Sequence, residues 1–276
     1  MKNADAVIQE KRAGQAFGRQ APVFDTIYGS DRIVQYKRKR VRDHVEQWLR
    51  PGSHILELNA GTGEDAIYFA QKGHRVHATD ISTGMLEILA KKVEEKGMSA
   101  QVTNACCSFT NLEALEEKGP YDYLFSNFAG LNCTGNIHKV LSSFEKLVKP
   151  GGYITLVVLP RFCLWETLLL LKGKFRTAFR RWSGKTGTKA KVEGLPFRCW
   201  YYQPATITRA LQKDFDKIAL EGLCTLVPPS YIEGFAEKHP RWFQRLVKWE
   251  DKWKRHWPWR STGDYYILTL QRKEFS

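Results

Sequence analysis

The residues most able to do chemistry stand close together. Glu57, Asn59, Ala60, Gly61, Thr62 and Gly63 lie in one short run, and Asp80 follows seventeen residues past Gly63. Glycine lets a backbone take left-handed dihedrals and lets a ligand approach the main chain. A carboxylate at the end of the next strand can accept both hydrogen bonds of a ribose diol. Together they suit a nucleoside. A dinucleotide turn would read G-x-G-x-x-G and set a helix N-terminus against a pyrophosphate. Here the order is Glu57-x-Asn59-x-Gly61-x-Gly63, and Glu57 directs a negative charge at the same crevice. That charge disfavours a phosphate and favours a cationic ligand. Plainer roles compete: a tight turn for the glycines, a helix cap for Asp80, a backbone-amide partner for Glu57.

Such residues work only if strands end side by side. Short apolar runs predict strands over 54–58, 75–79, 100–103, 121–126 and 153–159. Helices over about 63–72, 82–96 and 135–148 separate most of them, with glycine or Pro-Gly stops. A helix over 31–49, capped by Asp31, precedes them. Strands separated by single helices imply a parallel, doubly wound sheet. Two later strands, about 215–227 and 265–270, would pair antiparallel at its edge. Residues 4–20 read as a polar, frayed or partner-ordered arm, 162–182 as helical, 183–194 as a mobile loop, and 231–256 as containing a basic aromatic helix.

These motifs resemble those of class I S-adenosylmethionine-dependent methyltransferases of the small-molecule type. The run from Ile55 to Gly63 is similar to their first motif, and His77-Ala-Thr-Asp80-Ile-Ser82 with Met85 to their second. Tyr121–Phe128 resembles the fourth-strand motif, and Leu147–Gly152 the turn before the fifth strand. The likeness covers 24–160 well and 264–270 loosely. It implies a Rossmann-like α/β fold: a doubly wound, mostly parallel sheet with an antiparallel edge strand and an inserted helical cap. It divides the chain into an arm (1–23) and one methyltransferase domain (24–276). That domain has a cofactor-binding core (24–160) and substrate-cap insertions (161–203 and 228–262).

It also implies roles. S-adenosylmethionine is the cofactor and S-adenosylhomocysteine the product. Gly61 and Gly63 pass beneath its methionine and sugar portions, and Asp80 takes the ribose hydroxyls. Ile81 and Met85 flank the adenine. Ala105 and Cys106 stand where the family usually has an acidic residue. Asn59 replaces the motif's first glycine and is the non-glycine type most tolerant of left-handed geometry. Ser126, Asn127 and Phe128 line the methionine end, and Arg38, with Tyr28 and Tyr36, approaches from the 31–49 helix region. Asn132, His138, Trp165, Trp200 and Tyr201 are candidates for the acceptor side. No side chain is assigned as a catalytic base, and no metal is expected. Cys106 and Cys107 are expected to be buried small apolar groups.

The remaining composition bears on the substrate. Residues 1–160 hold 20 Lys+Arg against 18 Asp+Glu; residues 161–276 hold 23 against 11, with eight of the nine Trp. From Lys172 to Lys191 there are eight basic residues and no acidic one. The absence of Pro-Pro after Asn127 and of Pro before Cys133 argues against the usual nucleic-acid methyltransferases. A small, apolar, aromatic or lipid-like acceptor is expected, offering an O, N or C nucleophile. A nucleic-acid methyltransferase and a non-catalytic S-adenosylmethionine-binding protein are the alternatives. Trp242, Leu246, Trp249 and Trp253 share one helix face, read first as core packing against the sheet edge, with membrane-interface anchoring or nucleic-acid binding behind it. Six Cys without a C-x-x-C pair and a polar N-terminus suit a cytoplasmic protein, with peripheral contact at the inner membrane face as an added expectation. Pro160, Arg161 and Glu166 interrupt the most apolar stretch. A charge costs about 2.5–3.5 kcal/mol at a membrane helix centre, so a spanning segment is rejected.

Overall fold

A computed structural model describes residues 2–168, 170, 173, 175, 179–182 and 186–274. Apolar runs form β1 (His54–Leu58), β2 (Arg75–Asp80), β3 (Val102–Cys106), β4 (Tyr121–Ser126) and β5 (Val148–Val158). β1, β2, β4 and β5 are buried along most of their length, as strands covered on both faces must be. The five lie parallel in the order β3-β2-β1-β4-β5. Beyond them β9 (Tyr265–Arg272) pairs antiparallel with β5, and β8 (Phe215–Leu223) pairs antiparallel with β9 and forms the edge. The expected doubly wound sheet is present, with its antiparallel strand one place in from the edge. Strand order reverses between β1 and β4, which opens a crevice at their carboxyl ends.

The expected helices beside the crevice also form. α2 (Arg32–Glu46) starts on Asp31, whose carboxylate accepts from the amides of Ile33 and Val34 at 2.7 and 2.9 Å. α3 (Glu64–Gln71) follows the glycine turn, and α4 (Thr83–Glu95) is capped by the Ser82 hydroxyl.

The largest difference lies at the N-terminus. Residues 4–20 are not a frayed arm but most of α1 (Lys2–Gly29). Its inward face is built from small residues: Ala13, Ala16 and Ala21 are buried. Gly14 and Gly18 let it lie hard against α4. A Cβ on Gly14 would stand 2.6 Å from Ile81 Cγ2, and one on Gly18 2.8 Å from Ser82 Oγ. A helix buried through glycine and alanine leaves little apolar periodicity to read.

The back of the chain needs further corrections. The 135–148 helix is two short ones, Ile137–Leu141 and Phe144–Leu147, and β5 begins at once at Val148. Of the 162–182 helix, Leu164–Leu168 is α-helical and Arg180–Trp182 a 3-10 turn, with parts between outside the described residues. The loop expected at 183–194 contains β6 (Thr188–Val192), paired with β7 (Leu195–Cys199). Glu193 and Gly194 turn that hairpin with φ of 44° and 80°, the left-handed pair that matches strand twist. The basic aromatic helix expected within 231–256 is present as Pro240–Trp253, preceded by a short one at Phe235–Lys238.

The basic run from 172 to 191 is also not simply a solvated face. Lys172, Lys174, Arg176 and Lys185 lie outside the described residues. Arg181 is buried, bonded to Glu166 at 2.6 Å and Asp264 at 2.7 Å, and Arg180 shares Glu166. Those guanidinium groups hold the Glu166 carboxyl below its usual range despite burial. Cys163, Glu166 and Asp264 stand close enough to share a metal ion, but arginine already satisfies both carboxylates.

Candidate cofactor cleft

The crevice at the ends of β1, β2 and β4 deepens into a cleft with about 860 Å³ of empty space, part of it open to solvent. Its floor is the glycine turn. Asn59, Gly61 and Gly63 take φ of 51°, 56° and 78°. Only Gly61 faces the open space: nothing lies within 4 Å of where its Cβ would be. Gly63 has a packing role instead, since its Cβ would stand 2.5 Å from Leu89 Cγ, and it does not line the cleft. Asn59 makes left-handed geometry useful. Its amide donates to the Asn127 carbonyl at 2.8 Å and accepts from the Ser126 hydroxyl at 2.6 Å, tying the end of β1 to the end of β4.

Asp80 sits where the ligand's edge would meet β2. One carboxylate oxygen accepts the Gly61 amide at 2.9 Å and the other the Ser82 amide at 2.8 Å. Burial still pushes its carboxyl above the usual range, with those amides pulling it back. The carboxylate keeps acceptor capacity beyond these amides. Glu57 is almost fully buried, and its Oε2 has no hydrogen-bond partner. Burial, then the Asp65 charge, pushes its carboxyl well above the usual range, against the pull of Arg42. An orphaned carboxyl oxygen lining a cleft is a place prepared for a donor or a cation. Asp65 itself is satisfied by Arg42 and by the Asn127 amide, each at 2.7 Å.

The walls are apolar. Ile81 and Met85 line one side, Phe109 stands near them, and Phe128 closes the β4 end. Phe128 and the next residue, Ala129, both take positive φ, 42° and 66°. Two consecutive non-glycine residues in that region mark strain held at a site. Arg38 reaches the cleft from α2, with Nη1 3.4 Å from Glu64 and its buried Nε without a partner.

The roof is α1, which sequence reasoning missed. Glu10, Ala13, Gly14, Phe17 and Phe24 all line the cleft. Steps of three, four and seven between Glu10, Ala13, Phe17 and Phe24 put them on one helix face, a signal available in the sequence but weakened by its small and charged members. Glu10 accepts the Ser108 hydroxyl at 2.7 Å and the Thr110 hydroxyl at 3.0 Å, just past β3. Burial raises its carboxyl despite those bonds. It thus brings a carboxyl to the β3 side, where Cys106 had stood in place of an acid. Farther along, Asp25 accepts the Thr62 hydroxyl at 2.7 Å and Lys92 Nζ at 2.9 Å, and Gln20 donates to Glu193 at 3.1 Å.

Arg38, Glu57, Asn59, Ala60, Gly61, Thr62, Asp80, Ile81, Met85, Asn127 and Phe128 are therefore brought together on one cleft. Tyr28, Ala105, Cys106 and Ser126 are not on its lining. Cys106 is exposed and Cys107 half-buried, not the buried pair expected. Tyr36 turns away, its hydroxyl 2.8 Å from Glu250.

The acceptor-side candidates also lie off the cleft. Asn132 is buried, its amide spent on the backbones of Leu159 and Trp200. Trp200 fills space left by Gly135 and Gly187, and Tyr201 packs beneath the Arg181 guanidinium at 5.3 Å. Trp165 is half-buried on the 164–168 helix, and His138 is exposed. Aromatic composition indicated a site; these rings pack the scaffold.

Known proteins agree with this geometry. A family model described as a methyltransferase domain matches residues 55–152, the segment from β1 into β5. Demethylmenaquinone methyltransferase of Bacteroides fragilis is 26% identical over 160 residues, 55% of this chain and 61% of that protein. The chain thus spans about three-fifths of that relative. Among solved structures, the cyclase SpnF superposes with a TM-score of 0.62 at 17% identity, covering 97% of both chains. A 1,6-didemethyltoxoflavin-N1-methyltransferase of Burkholderia thailandensis, with 1,6-didemethyltoxoflavin and S-adenosylhomocysteine bound, gives 0.54 at 15% identity over 95% of this chain and 88% of that one. The family match identifies residues 55–152 as a methyltransferase domain, and the strand order, the glycine turn and the acidic end of β2 are those of its class I S-adenosylmethionine-dependent type.

Proposed function

We propose that the chain binds S-adenosylmethionine in this cleft and methylates an O, N or C nucleophile of a small, largely apolar molecule. The observation that carries the reading is the unpartnered Glu57 Oε2, toward the carboxyl end of β1 and next to the β2 strand that ends in Asp80. Asp80 has acceptor sites left for the ribose hydroxyls, Glu57 an oxygen for the cationic methionine end, and Arg38 Nε a donor for its carboxylate. Ile81 and Met85 offer apolar faces to the adenine. When bound, the cofactor supplies an electrophilic methyl group on a sulfonium. The protein's own contribution is to fix that group against the acceptor and to keep water out. α1 does the second, with Phe17 and Phe24 over the cleft.

A covered cleft favours a small acceptor over a polynucleotide. The names of similar proteins, a quinone-precursor methyltransferase and a toxoflavin-precursor methyltransferase, point the same way. The test is calorimetric titration of the full chain with S-adenosylmethionine, followed by assay of S-adenosylhomocysteine with small phenolic and quinol acceptors. Saturable one-to-one binding and acceptor-dependent S-adenosylhomocysteine are expected. No binding overturns the reading. Binding with an acceptor converted but no S-adenosylhomocysteine formed would give instead a cofactor-dependent cyclase, the activity in the name of one structural neighbour.

A further inference from the structure

The 240–253 helix carries two faces, and only one is used by the fold. Phe243 and Glu250 are buried, with Leu246 and Val247 packed beside them against Ile33, Cys224, Val227 and Ala236. Glu250 is consumed inside: it accepts the backbone amides of residues 224–227 and the Tyr36 hydroxyl. One position round the helix lie the tryptophans. Trp242, Trp249 and Trp253 are 52%, 51% and 42% exposed, and Trp257, just past the helix, is 77% exposed. The core packing expected for this face is made by Leu246 but not by its three tryptophans. Four indoles in water are costly surface unless something covers them, because full burial of one large side chain is worth roughly 1.5–3 kcal/mol.

The charge around them selects the cover. Arg241, Arg245, Lys248 and Lys252 are exposed on the same helix. Arg245 sits over the Trp242 ring at 5.3 Å and Lys252 over the Trp253 ring at 5.6 Å. The helix has two acidic residues, and neither offers free charge: Glu250 is buried, and Asp251 is 2.7 Å from Lys254. Tryptophan with lysine and arginine on one exposed face is the composition of a helix lying in a lipid headgroup layer, ring in the boundary and cation at the phosphates. Among the described residues no helix is long and apolar enough to cross a membrane, so contact would be at the surface. Trp249 and Trp253 also border an open hollow with Leu226 and Trp259.

We propose that this face docks the protein on an anionic lipid surface, with Trp242, Trp249, Trp253 and Trp257 at the headgroup boundary. The inference does not depend on the cofactor reading. Its test is co-sedimentation of the full chain with vesicles of phosphatidylcholine alone and with phosphatidylglycerol added, together with quenching of tryptophan fluorescence by brominated lipid. Binding to the anionic vesicles, with quenching, is expected. It should fall at least about tenfold in the triple variant Trp249→Ser/Trp253→Ser/Trp257→Ser and weaken with salt. The substituted residues are exposed, so the melting temperature should hold, and a variant that does not fold is replaced by Arg245→Gln/Lys248→Gln/Lys252→Gln with the same expectation. No binding to anionic vesicles, binding unchanged by the substitutions, or binding without quenching overturns the proposal. Tight binding to single-stranded RNA through the same residues, with none to vesicles, would assign the face to nucleic acid instead.

Discussion

The floor and the roof of the cleft are made in different ways. The floor is set by strand ends and by three residues in left-handed geometry, so its atoms hold position because the backbone has few alternatives. The roof is a helix laid across, held by a few polar ties and by glycine contacts with α4. A floor of that kind serves any ligand of one chemical class. A roof of that kind decides what else fits, and its ties can be loosened without disturbing the sheet.

The largest effect should come from the floor. Asp80→Ala removes the acceptor for two backbone amides and for the ligand's hydroxyls. S-adenosylmethionine affinity should fall about 100-fold, equivalent to about 2.7 kcal/mol, by calorimetry. Unchanged affinity would refute its role. Gly63→Ala separates folding from binding. Its φ of 78° and a Cβ 2.5 Å from Leu89 Cγ should cost roughly 2–3 kcal/mol in urea unfolding. The roof should respond differently: Gly14→Leu drives into Ile81 and should weaken cofactor binding roughly tenfold, about 1.4 kcal/mol, while the sheet stays folded by far-ultraviolet circular dichroism. Equal loss of affinity and of fold would erase the contrast.

The smallest effect is in pH. Burial holds a proton on Glu57 that the unfolded chain has already released in the ordinary carboxylate range. Stability of the free protein therefore falls as pH rises from that range through the raised folded value. A cation in the cleft favours the ionised carboxyl and expels the proton. Affinity should rise with pH across the same window, and titration in two buffers of different ionisation enthalpy should detect proton release. Glu57→Gln should flatten both dependences.

The floor was legible because its requirements fall on residue types. Only glycine or asparagine tolerates those dihedrals cheaply, and a carboxylate at a strand end has few other uses. The roof was obscured by the opposite condition: Ala13, Gly14, Phe17 and Gly18 meet their neighbours closely without forming an apolar stripe. The acceptor-side candidates lie off the cleft for a third reason. Trp200, Tyr201 and Asn132 have the right chemistry, but which way a ring faces depends on chain segments distant in sequence, here Gly135, Gly187 and Arg181. The Trp row at 242–253 was visible as a row; that it points outward was not, because Phe243 and Glu250, one position round, take the inward face.

Asn59 has a consequence for how this sequence can change. A Cβ on Gly130 would stand 2.0 Å from the Asn59 amide carbon, yet Gly130 is absent from the residues with positive φ. The obstacle to alanine there is not the backbone: the three nearest atoms its Cβ would meet all belong to the Asn59 side chain. Residues 59 and 130, far apart in the chain, are thus one choice. Alanine at 130 demands a smaller residue at 59, and a history of substitutions in related chains should show the two moving together.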